Sequence, residues 1–480
     1  MRKKQTITLT AVAGGLAAAL VTAAATAAPA ASVAQAAPAA SAGTSIAINP
    51  DAHQLPQAKT LATPWTTALC ESELKIACYS PDQIRAAYNE APLFSQGITG
   101  KGATIVIVDS FGSPTIKSDL STFDKQFGYP DPPSFKIITP AGKPPAWDPN
   151  STDMTGWAGE TTLDVEYAHT IAPGANIVLA ETPVAETEGV TGFPQIVKAE
   201  QYVVDHHIGD VISQSFGATE ETFTSYQQLE PLRAAYKDAY AHGVTVVAST
   251  GDDGAASTEL DGSTYYLSPV TDWPATDPLV TAVGGTQLQE SSARTFSSAT
   301  WNDTYDVPLQ QAFTGTNGPN PFSTGGGVSE FFSRPYYQNS VAKVTGDARG
   351  IPDISLSAAC DGAVTTYSSY PGGVTGWHLT CGTSEAAPLF SGLVALADQV
   401  AHHPLGLINP TLYQLAQFRA PGLVDVTKGN NTVSFTQGSP GKLYTVQGYS
   451  AKNGYDLATG VGTVNAAYFV PELATGGQGY

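Results

Sequence analysis

The stretch GKGATIVIVDSFG, residues 100–112, decides the fold class of this chain. A glycine turn leads into a continuous apolar run, which is typical of a strand buried on both faces of a sheet. Further apolar runs follow at 176–180, 210–213, 244–249 and 280–283. Amphipathic, helix-like stretches separate them near 160–171, 193–207 and 224–242. This alternation predicts an α/β fold with a mostly parallel central sheet and helices on both faces.

The N-terminus has the pattern of an export signal. MRKK precedes an alanine-rich apolar stretch, and small residues lead to an Ala-x-Ala site ending at Ala36. This pattern predicts a signal peptide over residues 1–36, with Ala25–Ala27 as a second possible cleavage site. Thr and Gly dilute the apolar run, whereas a membrane anchor needs roughly 20 strongly apolar residues. We therefore expect a secreted, extracellular protein without a membrane partner.

The chain beyond the signal divides into a leader and one large domain. Residues 37–79 are predicted to form a short low-complexity leader, which begins rich in Ala, Pro and Ser and contains Cys70 and Cys78. Regular secondary structure is predicted from Ser80 onward, where SPDQIRAAY indicates a capped helix. The folded domain is accordingly expected to span residues 80–480.

The four cysteines are Cys70, Cys78, Cys360 and Cys381. An even number in an exported chain indicates two disulfides, and four cysteines allow three pairings. Pairing of sequence neighbours, Cys70 with Cys78 and Cys360 with Cys381, is the simplest. Cysteine metal binding is disfavoured because no Cys-x-x-Cys spacing occurs.

The charge balance restricts the partners. Lys and Arg number 22 against 42 Asp and Glu, which gives a net charge of −20. Such a charge disfavours nucleic acid and anionic membranes as partners. Only 13% of the residues are charged, a composition compatible with an acidic environment.

The segment CGTSEAAP, residues 381–388, places Ser384 where a loop enters a helix. A helix N-terminus favours bound anions, so Ser384 is a candidate nucleophile. The same sequence is equally compatible with Thr383 or Ser384 serving only as the N-cap of the helix. His378 is close in sequence, but a base is expected to approach the hydroxyl from another part of the fold.

Carboxylates are the stronger candidates for the base. GETTLDVEYAHTIAPGA, residues 159–175, places Glu160 and Asp164 four apart on one helix face. Such a pair repels unless it shares a proton, and a solvated acidic face that includes Glu166 is the alternative. VTVVASTGDDGA, residues 244–255, brings Asp252 into a glycine-flanked turn, where a turn-forming role is the alternative.

These blocks together resemble the sedolisin family, the serine-carboxyl peptidases, over roughly residues 80–470. YSPDQIRAAY and GKGATIVIVDSFG are similar to the start of the family's catalytic domain, and ISQSFG to its substrate-lining strand. GGGVSEFFSRPYYQ and RGIPDISLSA are similar to its later loops. Each block is weak alone, and their shared order makes the signal specific.

The resemblance implies a subtilisin-like fold and a role for each candidate. Ser384 is implied as the nucleophile, Glu160 as its general base and Asp164 as the residue that orients Glu160. Asp252 is implied to assist the oxyanion hole together with the Ser384 backbone N–H. Asp109, on the first strand, is interpreted as structural. The implied substrate-binding residues are Ser213, Gln214, Ser215, Phe216 and Gly217.

The tail carries a candidate calcium site. DVTKGNN, residues 425–431, and AKNGYD, residues 451–456, offer oxygen ligands on tight loops, although Asx turns explain such loops equally well. The family binds calcium there, so the resemblance implies one Ca²⁺ ion. The family often has glycine where Lys452 stands. The implied ligands are the side chains of Asp425 and Asp456 and the carbonyls of Val426, Lys452 and Gly454.

The predicted function is that of a secreted, acid-acting endopeptidase, monomeric and acting on peptides or proteins through an acyl-enzyme. Residues 37–79 are too short for the large pro-domain usual in the family. A histidine-dependent serine hydrolase is disfavoured because a His-Gly-Thr-like block is missing. The remaining alternative is a catalytically inactive secreted binding protein on a protease fold, which the four intact catalytic positions argue against.

Overall fold

The computed structural model describes residues 53–55, 59–292, 295–314 and 318–477. The predicted signal peptide over residues 1–36 lies outside these residues. Within the described part of the chain, no helix combines the length and the apolar character needed to cross a membrane.

The described residues form many short strands and a smaller number of helices. The strands in chain order are β1 His53–Gln54, β2 Cys78–Tyr79, β3 Thr104–Ser110, β4 Phe135–Ile138, β5 Asn176–Thr182, β6 Val211–Gln214, β7 Ala218–Thr219, β8 Thr245–Ser249, β9 Asp272–Trp273, β10 Thr281–Ser292, β11 Thr295–Thr300, β12 Gly327–Ser333, β13 Ala348–Ile351, β14 Ile354–Ser357, β15 Ala363–Ser368, β16 Gly376–Cys381, β17 Leu423–Val424, β18 Val433–Gln437, β19 Lys442–Val446 and β20 Thr463–Val464. The α-helices are α1 Thr67–Glu73, α2 Pro81–Ala87, α3 Ala91–Ser95, α4 Ile116–Phe127, α5 Thr152–Ile171, α6 Phe193–Asp205, α7 Tyr226–Leu229, α8 Ala234–His242, α9 Val307–Thr314, α10 Ala342–Thr345, α11 Thr383–Ala401, α12 Asn409–Phe418 and α13 Ala466–Ala474.

An eight-stranded sheet organises the chain. Its strand order is β11-β10-β8-β6-β3-β5-β4, and β14 lies alongside β10. Every pair between β4 and β10 along this order is parallel, as is the β10–β14 pair, whereas β11 runs antiparallel to β10. The predicted mostly parallel α/β sheet is therefore confirmed.

Strand β3 shows why the central strands read as continuous apolar runs. Ile105 and Ile107 belong to a core shared with α5 and α11, whereas Val106 and Val108 belong to a second core shared with α6 and α8. Successive side chains of a strand point to opposite faces of the sheet. Because both faces are covered by helices, every position needs an apolar residue.

Three local features differ from the sequence prediction. Strand β10 continues to Ser292, well past residue 283, because its polar second half pairs with β11 rather than lying in the core. The helix expected over 224–242 is broken into α7, a 3-10 turn at Glu230–Arg233 and α8, with Pro231 at the break. Between the two loops of the predicted calcium site, residues 425–431 and 451–456, the chain forms the antiparallel hairpin of β18 and β19, which was not predicted.

The second half of the predicted leader packs with the domain. Helix α1 begins after Thr66, whose hydroxyl accepts the Leu69 N–H, and β2 pairs in parallel with β15. Trp65 and Tyr79 are buried in the larger core. The capped helix predicted after residue 79 is present as α2, with a complete capping box. The two disulfides join the sequence neighbours, Cys70–Cys78 and Cys360–Cys381, as predicted.

Candidate active site

The acidic pair lies on α5, a long helix whose residues are mostly buried. Ser151 caps this helix by accepting the Met154 N–H. Glu160 and Asp164 have no exposed surface, and the helix packs directly against α11. The pair is therefore enclosed in the core, and a solvated acidic face is excluded as the explanation.

Ser384 lies in the first turn of α11. Gly382 precedes that helix with a φ of 124°, a backbone conformation that favours glycine. The Cys360–Cys381 disulfide ties this turn to the chain beyond β14. The Ser384 hydroxyl is buried, and among the described residues it has no hydrogen-bond partner. A capping role, which requires such a bond, is not its function here.

Asp252 is anchored to the same turn. It follows β8, and its Oδ1 atom accepts hydrogen bonds from both the backbone N–H and the hydroxyl of Thr383, each at 2.7 Å. The other carboxyl oxygen, Asp252 Oδ2, is 3.4 Å from Nε2 of His53. The structure therefore brings Asp252 and the nucleophile turn together, as the resemblance implied.

His53, which falls within the predicted leader at residues 37–79, also lies at this turn. Strand β1 pairs antiparallel with the end of β16, so that His53 is opposite Cys381 and Gln54 is opposite Thr380. The His53 ring also packs edge-on against Phe322, with centroids 5.0 Å apart. Its position depends on long-range strand pairing, for which the sequence carries no local signal.

The electrostatic surroundings of Asp164 are acidic. Burial raises the pKa of its carboxyl well above the usual range, and the negative charges of Asp109 and Glu160 raise it further. The Ser215 hydroxyl, 2.9 Å from Asp164 Oδ1, acts in the opposite direction by stabilising the ionised form. Two neighbouring acids that repel at short range favour the sharing of a proton.

Asp109, interpreted from the sequence as structural, is a buried acid close enough to the α5 pair to influence it electrostatically. It lies at the end of β3 with 1% of its surface exposed, and burial raises its pKa to about 7, with a contribution from the charge of Glu181. Its charge acts directly on Asp164. In the sequence, the only indication of this electrostatic role is that an acid continues an apolar strand predicted to be buried.

His378 lies apart from this chemistry. It is in β16, opposite Thr366 of β15, and burial lowers the pKa of its ring below the ordinary value. No hydrogen bond joins it to Ser384 in the part of the chain that the structure describes. The Ser384 hydroxyl likewise has no hydrogen bond to Glu160 among the described residues, so this absence does not by itself separate the two candidate bases.

The predicted substrate-binding residues separate into two groups. Ser213 and Gln214 are buried within β6, and the Gln214 amide donates to Glu200 and Tyr236 beneath α6 and α8. Ser215 instead contacts Asp164, and its hydroxyl is 3.5 Å from the carbonyl oxygen of Ser384. Of these three residues, only Ser215 touches the catalytic candidates.

Phe216 and Gly217 complete the segment and lie against residues at and before the start of α6. The Phe216 ring lies 6.3 Å from that of Phe193, which begins α6. The Gly217 N–H donates to Glu186 Oε1 at 3.0 Å. Burial raises the pKa of Glu186 well above its usual range, so a second acid, not identified from the sequence, adjoins the predicted substrate-lining strand.

The two predicted calcium loops adjoin each other. Asp425 Oδ2 accepts the Gly454 N–H at 2.9 Å, and Asp456 accepts N–H groups of its own loop, including that of Lys452 at 2.7 Å. The described residues contain no cluster of three or more His, Cys, Asp or Glu side chains suited to a metal. They show no hydrogen bond to the carbonyls of Val426, Lys452 and Gly454. Carbonyl oxygens with two carboxylates are a donor set that suits Ca²⁺.

Comparison with known proteins agrees with this arrangement. The sequence pattern of Peptidase_S8, the subtilase family, matches residues 100–439. The chain belongs to the subtilase family. Within it, this subtilase is 32% identical to kumamolisin of Bacillus sp. (strain MN-32) and 30% identical to sedolisin of Pseudomonas sp. (strain 101), each over 80% of the chain. The resemblance to the sedolisins is thereby confirmed.

Two further comparisons define how far the similarity extends. This subtilase is 29% identical to human tripeptidyl-peptidase 1 over 65% of its length. It matches the solved Pseudomonas sedolisin, a serine-carboxyl proteinase complexed with two molecules of pseudo-iodotyrostatin, with a TM-score of 0.66 and 26% identity, over 84% of this chain and 99% of that one. The chain spans only 62% of the length of kumamolisin and 60% of that of sedolisin.

Proposed function

We propose that this subtilase is a serine-carboxyl peptidase that hydrolyses peptide bonds through a Ser-Glu-Asp centre. One observation carries the proposal: separate parts of the fold meet at the first turn of α11. Asp252 bonds to Thr383, and Ser215 links Asp164 to the main chain of Ser384. The names of the similar proteins, which include a tripeptidyl-peptidase and a serine-carboxyl proteinase, support the same reaction class.

The acylation step uses the buried hydroxyl as nucleophile. Ser384 Oγ attacks the carbonyl carbon of the scissile peptide bond, and its proton passes to the Glu160 carboxylate. Asp164 holds Glu160 in place and shares the proton of the pair. The tetrahedral intermediate then collapses, the C–N bond breaks, and Glu160 returns the proton to the leaving amine. An acyl-enzyme on Ser384 remains.

Deacylation repeats these roles with water. Glu160 removes a proton from a water molecule as its oxygen attacks the ester carbonyl, and the proton then returns to Ser384 Oγ. In both steps the negative oxygen lies near the start of α11, where the Ser384 N–H donates to it and Asp252 assists. Donors placed where charge develops are often the largest single contribution to catalysis.

These roles require acid. A glutamate with a reference pKa of about 4.3 is best matched to catalysis at low pH, and Asp252 donates a hydrogen bond only while it carries a proton. Comparable protonated carboxyl donors occur in other enzymes. The proposed environment is therefore acidic, outside the cell, where the predicted signal peptide would deliver a monomer that acts on peptides or proteins.

The proposed cofactor is one calcium ion in the tail. Asp425, Asp456 and the carbonyls of Val426, Lys452 and Gly454 would hold it, and its contribution is to stabilise the loops. No catalytic step depends on it, because its proposed ligands contact neither Ser384 nor the α5 acids in any interaction found among the described residues.

The decisive experiment is an assay of denatured-protein hydrolysis at pH 4 and pH 8 with the wild-type chain and the Ser384→Ala variant. We expect hydrolysis at pH 4 by the wild type alone. Equal activity of the two proteins would show that Ser384 is not the nucleophile. A folded wild type that binds peptides but leaves them uncut at both pH values would instead establish the inactive binding protein.

A further inference from the structure

Ser215 lies at the point where the sheet, the acidic helix and the nucleophile helix meet. It directly follows β6, which lies between β3 and β8 at the centre of the sheet. The residue has no exposed surface. Its hydroxyl oxygen is 2.9 Å from Asp164 Oδ1 and 3.5 Å from the carbonyl oxygen of Ser384. One side chain thus adjoins both the orienting acid and the residue that carries the nucleophile.

The single proton of this hydroxyl has a clear preference between the two acceptors. The carboxyl oxygen is closer, and hydrogen bonds to charged acceptors are stronger than those to neutral ones. The other carboxyl oxygen, Asp164 Oδ2, is buried and has no partner found among the described residues. The hydrogen bond from Ser215 is therefore the main interaction that fixes how the Asp164 carboxyl is turned.

The titratable groups that face Asp164 all act against its ionised form. Glu160 does so from α5 itself and Asp109 from β3, while Glu181 of β5 acts on Asp109. The neighbouring residues on the segment after β6 and on α11 are Ser215 and Ser384, which do not titrate in this range. Ser215 is thus the group that favours a negative charge on Asp164.

We propose that Ser215 is a positioning residue of the peptidase reaction: its hydroxyl holds the Asp164 carboxyl in the orientation that presents Glu160 to Ser384. This role rests on the proposed function and adds to it, because ISQSFG was interpreted as a strand that binds substrate. The Ser215 hydroxyl acts on the catalytic acids rather than on the substrate.

The test compares Ser215→Thr with Ser215→Val, two side chains of the same shape that differ only in the hydroxyl. Measured on one peptide across pH, Ser215→Thr should stay within about threefold of the wild type. Ser215→Val should lose about ten- to a hundredfold in kcat with little change in KM, the range expected for one hydrogen bond to a charged group.

The pH profile gives the second readout. Without the donor the acidic pair keeps its proton to higher pH, so the acid limb of kcat/KM should move to higher pH in Ser215→Val and stay in place in Ser215→Thr. Ser391→Ala is the matched control, because the Ser391 hydroxyl on α11 is fully buried like that of Ser215 but has no hydrogen-bond partner in the described residues. It should keep the wild-type limb.

Three outcomes overturn the proposal. They are equal kcat and equal limbs for Ser215→Thr and Ser215→Val, a loss confined to KM, or a limb shift of the same size in Ser391→Ala. Failure of the proposed function is distinguishable, since it appears as full activity of Ser384→Ala or as no activity in the wild type. Melting curves of the Thr and Val variants establish that both are folded.

Discussion

Two acidic groups meet the nucleophile turn, one on α5 and one after β8. In the α5 pair, Asp164 is influenced by the charge of Asp109 and accepts a hydrogen bond from the Ser215 hydroxyl, and burial raises its pKa well above its usual range. Asp252 is equally enclosed, with 4% exposed, but it accepts two hydrogen bonds from Thr383 and adjoins the His53 imidazole. The two acids differ in their partners and not in their burial.

This difference suits two different tasks. A pair of acids that repel each other takes up and releases a proton readily, which a general base must do in every cycle. A carboxyl fixed by two donors is held in position, which a group that stabilises a developing charge requires. The predictions below test whether proton exchange belongs to α5 and fixed geometry to Asp252.

The largest effect is expected from removing the base. Glu160→Ala should lower kcat/KM by about a thousandfold or more, as loss of a base does in comparable centres, because Ser384 then has no group to take its proton. His378→Ala is the control and should remain within a few-fold of the wild type. Both are measured at the acid optimum, with melting curves. A folded His378→Ala as inactive as Glu160→Ala would assign the base to the histidine.

The next effect concerns Asp252. Asp252→Ala should lose about a hundred- to a thousandfold at every pH, the usual cost of one oxyanion donor. Asp252→Asn should retain more activity, because an amide donates at any pH, and its alkaline limb should lie at higher pH than in the wild type. Profiles of kcat/KM against pH measure this. Coincident alkaline limbs of the wild type and the Asn variant would remove Asp252 from this role.

A smaller effect is expected on stability. Asp109 has a folded pKa of about 7, above its unfolded value of about 3.9. The folded state therefore holds a proton that the unfolded chain releases, and stability falls as pH rises between those two values, by up to about 1.4 kcal/mol per pH unit.

Asp109→Asn removes this group and should flatten the decline of the melting temperature between pH 5 and pH 7. Asp347→Asn, which removes a fully exposed carboxyl, should leave the decline unchanged. Thermal unfolding of the three proteins in one buffer series is the measurement. An unaltered slope in Asp109→Asn would mean that Asp109 stays ionised in the folded protein.

The smallest effect is expected from calcium. An ion that binds only the folded state adds about 2.7 kcal/mol at a hundredfold excess over its Kd, so a chelator should lower the melting temperature by several degrees. Asp425→Asn should abolish that sensitivity. It is a cleaner probe than Asp456→Ala, because Asp456 also holds its own loop together. Equal chelator shifts in Asp425→Asn and the wild type would place the ion elsewhere.

The sequence was informative where function depends on local order. The strand at 104–110 and the acid pair four residues apart on one helix are set by periodicity, and both are present. The electrostatic effect of Asp109 on Asp164 and the contacts of Ser215 with Asp164 and of His53 with Asp252 were not foreseen. Each joins residues more than 50 positions apart, and tertiary packing, rather than any local pattern, brings them together.

The Cys360–Cys381 disulfide adds an order of events to this chemistry. Cys381 lies only three residues before Ser384, so the nucleophile turn is clamped only after that bond has formed. Disulfides do not persist in a reducing cytoplasm. Under the proposed export, a newly made chain therefore lacks its covalent clamp for as long as it shares a compartment with the proteins of its own cell. Comparing the peptidase activity of reduced and oxidised samples would measure how far the missing disulfide protects the cell's own proteins from cleavage before export.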